Sequence, residues 1–204
     1  MKKLLFLLFL LFTVTSISAQ VELKANILTF AVGIPNIGIE FQVGKNTSIQ
    51  LDVLGSFWDT VDGAPLHVNQ TFLEYRLYSK SNISEWFVGA HIGYGMFTFQ
   101  KPNNLVIHPR YSNAEDGDEV YKSGRSVFHG LTVGYKKLLN KRFSLELFLG
   151  AGYTMSKYKG YSGIERVDNI GEENYRPFNG SGEVLIYRGG LMIIYKIFPY
   201  HKKD

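Results

Sequence analysis

The sequence predicts an all-β protein, specifically an eight-stranded antiparallel transmembrane up-and-down β-barrel. Three observations lead there. Apolar and polar residues alternate in eight separate segments, the links between segments are short on one side and long on the other, and aromatic residues gather near both ends of the segments.

Residues 1–19 read as a cleaved secretory signal ahead of a barrel domain over 20–204. Lys2 and Lys3 supply the basic start, Leu4 to Phe12 the apolar core, and Ser16 to Ala19 a small-residue cleavage site. The apolar run is short for a span of about 20 residues. No Cys occurs anywhere, which excludes disulfides, thiolate metal sites and a lipoprotein anchor. The 22 basic residues less Lys2 and Lys3 leave 20 against 18 acidic ones, a net charge of +2 without a basic run, so nucleic acid is not an expected partner.

Eight segments then alternate with the period of two that a half-buried strand requires. Val21–Val32 sets Leu23, Ala25, Ile27 and Thr29 against Lys24 and Asn26. Asn36–Gly44 sets Ile37, Ile39, Phe41 and Val43 against Gly38, Glu40 and Gln42. Thr47–Trp58 opposes Ile49, Leu51, Val53 and Phe57 to Ser48, Gln50, Asp52 and Ser56. Gln70–Tyr78 opposes Thr71, Leu73, Tyr75 and Leu77 to Glu74 and Arg76.

The second half repeats this. Glu85–Phe99 puts Trp86, Val88, Ala90, Ile92, Tyr94 and Met96 opposite Gly89, His91, Gly93 and Gly95. Val127–Lys137 puts Leu131, Val133 and Tyr135 opposite Gly130, Thr132, Gly134 and Lys136. Arg142–Met155 puts Phe143, Leu145, Leu147, Leu149, Ala151 and Tyr153 opposite Ser144, Glu146, Gly150, Gly152 and Thr154. Glu183–Phe198 puts Leu185, Tyr187, Leu191, Ile193 and Tyr195 opposite Arg188, Gly190 and Lys196.

The links Lys45–Asn46, Ser79–Ser84 and Leu138–Lys141 are tight. Of the alternate ones, Gly33–Pro35 is short, while Asp59–Asn69, Gln100–Ser126 and Lys157–Gly182 are long and polar. Short turns on one rim and long loops on the other is the layout of a barrel in the bacterial outer membrane, with both termini in the periplasm. One face of each strand then meets lipid and the other the lumen. An eight-stranded barrel is only wide enough for its own side chains, so lumenal glycines such as Gly89, Gly93, Gly134, Gly150 and Gly152 make room for larger neighbours. Trp86, Tyr135, Phe143 and Tyr195 form an outward girdle near the periplasmic rim, and Phe57, Tyr94, Tyr153 and Tyr187 one near the other rim.

The closing GLMIIYKIF, ending in Phe198, resembles the C-terminal signal read by the barrel-assembly machinery. Five stretches carry a wider resemblance: KANILTFAVGIPNIGIEFQVGKNTSIQLDV, LEYRLY, WFVGAHIGYGMF, GYKKLLNKRFSLELFLGAGY and GEVLIYRGGLMIIY. In this order the chain resembles domain-of-unknown-function family 3575, eight-stranded outer-membrane proteins of Bacteroides-like bacteria. The resemblance implies fold and location and carries no catalytic residue.

By alternation the lumen collects Lys24, Glu40, Asp52, Glu74, Arg76, His91, Glu146 and Arg188, with Lys136 near the periplasmic mouth. Acids and bases nearly balance, so the leading reading is an internal salt-bridge network that holds Arg76 and Arg188 with Glu40, Glu74 and Glu146. A gated ion pathway is the competing one. An enzyme acting on outer-membrane lipid would need a Ser beside a His. The best pair, Ser126 and His129, is three residues apart and falls on opposite strand faces. Glu115-Asp-Gly-Asp-Glu119 reads as a solvated loop tip and lacks the regular spacing of a calcium loop. Tyr111, Tyr121, Tyr158, Tyr161, Tyr175 and Phe178 would give the long loops a surface suited to an extracellular protein or glycan. The expectation is a monomeric, non-enzymatic outer-membrane barrel with a structural or surface-interaction role, surrounded by outer-membrane lipid. It needs no cofactor or metal, and a lipid-modifying enzyme or a narrow channel is the alternative.

Overall fold

The computed structural model describes residues 20–59, 65–81, 83–99, 121–162, 164–166 and 182–197. The expected signal segment, the Glu115–Glu119 cluster, Tyr111, Tyr175, Phe178 and Phe198 lie outside them.

Eight long strands form one closed antiparallel barrel. They are β1 (Val21–Asn26), β2 (Asn36–Gln42), β3 (Thr47–Asp59), β4 (Pro65–Lys80), β5 (Ser84–Phe99), β6 (Tyr121–Leu138), β7 (Phe143–Ser162) and β9 (Gly182–Lys196). A two-residue strand, β8 (Glu165–Arg166), pairs only with the far end of β7. The long strands pair with their neighbours in sequence, and β1 pairs with β9 to close the cylinder, Leu23 opposite Tyr195 and Ala25 opposite Ile193. Each of the eight long strands is thereby paired on both sides, so none is left as an open edge strand.

The count and order of the long strands match the alternation in the sequence, but four boundaries differ by several residues. β1 stops at Asn26, and Ile27–Ala31 form a one-turn helix, α1, in place of strand. The Asn26 side chain accepts the Leu28 amide at 3.2 Å and so caps the turn, and the Thr29 hydroxyl donates to the Asn26 carbonyl at 3.1 Å. Gly33, at φ +77°, then turns the chain toward β2. Strand β4 begins at Pro65, paired with Asp59, so the expected long link Asp59–Asn69 shrinks to residues 60–64. A proline fits there because the first residue of a strand can lack an N–H. Strands β6 and β7 run on past their alternating segments and pair as far as Tyr121 with Tyr161. Tyr121, Tyr158 and Tyr161 are therefore strand residues, not loop residues: the Tyr121 and Tyr161 rings stack at 5.6 Å, and Tyr158 meets Phe97 at 6.4 Å.

The short links, 43–46, 81–83 and 139–142, share one rim, and the links after β1, β3, β5 and β7 share the other. The outer surface is apolar over the middle of the long strands. Leu131 is 69% exposed, Ile92 and Leu147 both 62%, with Leu23, Leu51, Leu73 and Val133 also open. The interior inverts this and, among the described residues, buries ten charged side chains, from Glu22 to Lys196.

Candidate functional site

Charges fill the half of the lumen nearer the short turns. Glu40 and Glu146 lie between three cations. Lys24 reaches Glu40 at 2.6 Å and Glu146 at 2.7 Å, and Lys136 reaches Glu40 at 2.9 Å. Arg76 donates to Glu74 and to Glu146, each at 2.8 Å. Arg188 donates to Glu74 at 2.7 Å and to Asp52 at 2.6 Å. At the mouth Lys136 holds Glu22 at 2.7 Å, with Lys196 3.9 Å from the same carboxylate. Five cations (Lys24, Arg76, Lys136, Arg188, Lys196) thus face five anions (Glu22, Glu40, Asp52, Glu74, Glu146), all buried. Neutral groups complete the shell. Tyr78 donates to Glu40 at 2.6 Å, Ser48 also donates to Glu40, and Gln50 donates to Asp52 at 3.0 Å. Buried ions persist only when paired and hydrogen-bonded in this way.

Aromatic rings bracket the charges. Arg76 lies 4.3 Å above the Phe87 ring, Lys136 4.7 Å above Tyr78, and Arg188 4.6 Å above Phe72. At the short-turn rim, Tyr78, Ile83, Phe87, Phe148, Met192 and Ile194 form an apolar cluster. Ile83 comes from the β4–β5 turn and is fully buried although its φ is +44°. A β-branched residue is strained there, so packing inside the barrel holds the turn in place. Toward the other rim, Phe72, Phe128 and Tyr187 pack together with centroids 5.0–6.1 Å apart. His91 joins them, its Nδ1 2.9 Å from Thr132 Oγ1 and its Nε2 2.5 Å from the Tyr187 hydroxyl. Among the described residues, the lumen is thus filled by an apolar cluster interleaved with the ion-pair network and, toward the other rim, by an aromatic group.

A family model described as a protein of unknown function, DUF3575, matches residues 4–195. The chain belongs to that family. No curated protein matches it.

In this DUF3575 barrel all eight lumenal residues singled out by alternation, from Lys24 to Arg188, point inward. Seven share the ion-pair network, and His91 stands apart in the aromatic layer. Arg76 takes Glu74 and Glu146, with Glu40 more distant at 3.9 Å, while Arg188 takes Glu74 and Asp52. Glu22 was missed, although its place two residues before Lys24 carried the signal. The lumenal glycines stand against large neighbours. A methyl group at Gly134 would meet the Phe87 ring at 2.5 Å, and one at Gly150 the Arg188 side chain at 2.5 Å.

Seven of the eight interface aromatics lie on the outer face: Phe57, Trp86, Tyr94, Tyr135, Phe143, Tyr153 and Tyr195. Trp86 packs on Tyr135 at 5.2 Å and Phe143 on Tyr195 at 5.4 Å. Tyr187 is the exception and belongs to the lumen. Gly150 pairs with Arg188 but Ala151 with Ile186, so Tyr187 is the extra residue of a β-bulge. A bulge turns one residue out of the alternation, here to the same side as Arg188. Beyond it the faces exchange: Ile186, not Leu185, pairs with outward Ala151, and Leu185 pairs with lumenal Gly152.

Ser126 and His129 do not meet. The Ser126 hydroxyl lies inside, 2.7 Å from that of Ser156, and His129 lies outside against the Tyr153 ring at 5.3 Å. Among the described residues no group of three or more His, Asp or Glu side chains is placed to hold a metal ion.

Proposed function

We propose that the protein is a non-enzymatic barrel of the bacterial outer membrane, from a Bacteroides-like source, with a structural or surface-interaction role. The observation that carries this reading is the inversion of polarity, with leucines, isoleucines and aromatics open on the outside and five ion-paired carboxylates inside. In water such a surface would be an aggregation hazard, whereas in acyl chains it is the favourable solution. The signal-like start supports export. The sorting of short and long links supports periplasmic termini and outward-facing long loops, and closure of the barrel supports a monomer. Insertion then proceeds through the barrel-assembly machinery, guided by the last strand.

The filling of the lumen by side chains favours this role over a channel. Ions would have to displace the cluster around Ile83, the salt-bridge network and the aromatic group around Tyr187. The separation of Ser126 from His129 supports it over a lipid-modifying enzyme. Function then falls to the loops on the long-link rim, where rigid scaffolds place recognition of a protein or glycan ligand.

Outer-membrane fractionation with heat-modifiability on gels tests the placement, and single-channel recording in planar bilayers tests the seal. The expected results are a heat-modifiable outer-membrane band and no conductance. Recovery in the soluble fraction, or stable unitary currents, would refute the reading. Deleting residues 101–119, which spares β6, is expected to abolish a cell-contact or ligand phenotype while the heat-modifiable band persists.

A further inference from the structure

Strands β1 and β2 are too short for the wall they form. A tilted strand needs about 9–11 residues to cross the hydrocarbon of a bilayer. β1 has 6 and β2 has 7, whereas the other long strands have 13 to 20. Strand register locates the shortfall. Followed through β2, the pairings of Ala25 lead to Tyr94 on β5 and Met155 on β7. Followed through β9, they lead to Leu145. One circuit therefore climbs ten residues along β7, toward the long-link rim. Shared over eight strands, this stagger raises Tyr94, in the girdle toward that rim, about 12 Å above Ala25 along the barrel axis. Helix α1 starts about 5 Å above Ala25, and its five residues add at most about 7 Å. Even upright, it ends level with the girdle and not beyond it.

Composition fits that depth. No charged residue occurs between Lys24 and Glu40, whereas the links after β3, β5 and β7 all contain some. Leu28, Phe30 and Val32 are 53%, 48% and 67% exposed, and no residue of α1 is buried. The turn also satisfies backbone groups locally, as a lipid environment demands. Beyond its cap on Asn26, the Gly33 amide donates to the Phe30 carbonyl at 3.0 Å and the Ile34 amide to that of Thr29 at 2.8 Å. The lumen alongside is filled by Phe72, Phe128 and Tyr187, and α1 is not packed among them. Its apolar side chains therefore face outward.

We propose that α1 lies within the outer leaflet, packed against acyl chains, and completes the lipid-facing wall where β1 and β2 end. The β1–β2 link then differs in kind from the other three on its rim. It is a wedge in hydrocarbon, not a loop above it, and takes no part in recognition at the surface. The inference rests on the membrane placement proposed above, and its test keeps the two apart.

The chain has no Cys, so a single one can be introduced and spin-labelled. Phe30→Cys, Leu131→Cys and Lys159→Cys are labelled in the full mature barrel, reconstituted in phosphatidylcholine vesicles. Electron paramagnetic resonance then compares relaxation by oxygen, which concentrates among acyl chains, with relaxation by a polar nickel chelate present on both sides. The Phe30→Cys label is expected to lose nickel relaxation, as the Leu131→Cys label does on the outer wall, while the Lys159→Cys label near the far end of β7 keeps it. Leu28→Cys and Val32→Cys supply the same reading should Phe30→Cys yield no heat-modifiable band. Nickel access on α1 equal to that of Lys159→Cys, with Leu131→Cys still shielded, would overturn the proposal. Nickel access at Leu131→Cys as well would refute the membrane placement itself, and the wedge with it.

Discussion

Replacing Glu146 by Gln tests the lumenal network at one of its two central carboxylates. The carboxylate accepts from Lys24 at 2.7 Å and from Arg76 at 2.8 Å, and Lys136 stands 4.0 Å away. The exchange keeps the shape, removes one of five buried negative charges and turns an amide N–H₂ toward cations. Neither principal partner is orphaned, because Lys24 retains Glu40 at 2.6 Å and Arg76 retains Glu74 at 2.8 Å. Breaking a buried pair typically costs about 3–5 kcal/mol, and the remaining contacts place this case at the lower end, about 3 kcal/mol. Urea unfolding of the barrel in vesicles, followed by the heat-modifiable band and by tryptophan fluorescence, gives the number. Combining Glu146→Gln with Lys24→Met restores neutrality, so the double variant is expected to be more stable than the sum of its single effects allows. An unchanged unfolding midpoint for Glu146→Gln, or strict additivity in the cycle, would refute the network as the element that holds the lumen together.

Three further outcomes follow from the same coordinates. Leu131→Arg, on an outward side chain near mid-strand, is expected to cost about 2–4 kcal/mol in a bilayer, and undiminished stability in vesicles would contradict lipid contact there. Gly134→Ala places a methyl 2.5 Å from the Phe87 ring and 2.7 Å from the Leu147 carbonyl oxygen, which strand pairing fixes. Overpacking of this kind costs about 1–3 kcal/mol, measurable by the same unfolding assay. Tyr187→Phe removes the hydroxyl bonded to His91 while keeping the ring against Phe72 and Phe128, for a loss of about 0.5–1.5 kcal/mol. Were Tyr187 outward, the same change would leave the His91 ring resonances untouched in NMR spectra.

Much of this fold was legible because strand faces obey a local rule. Leu145, Leu147 and Leu149 against Ser144 and Glu146 determine which side of β7 is apolar, whatever pairs with it, and the order of short and long links determines which strand ends share a rim. The rule failed where a competing local preference intervened. Ile27 and Thr29 continue the alternation of β1, yet Asn26 caps a helical turn that interrupts it. At Tyr187 one extra residue reverses the side to which all earlier positions of β9 point, and nothing in LIYRGG marks the insertion.

The strand number and most of the charges confined inside were readable from the sequence, since both follow from a period of two within single segments; Glu22 and the far end of β9 were not. Only the tertiary structure decided who meets whom. Lys24 finds Glu146 across 122 positions of chain, and Arg188 finds Asp52 across 136. Those partners depend on stagger and closure around the whole cylinder, where a register change of one residue moves every side chain on a strand to the opposite face.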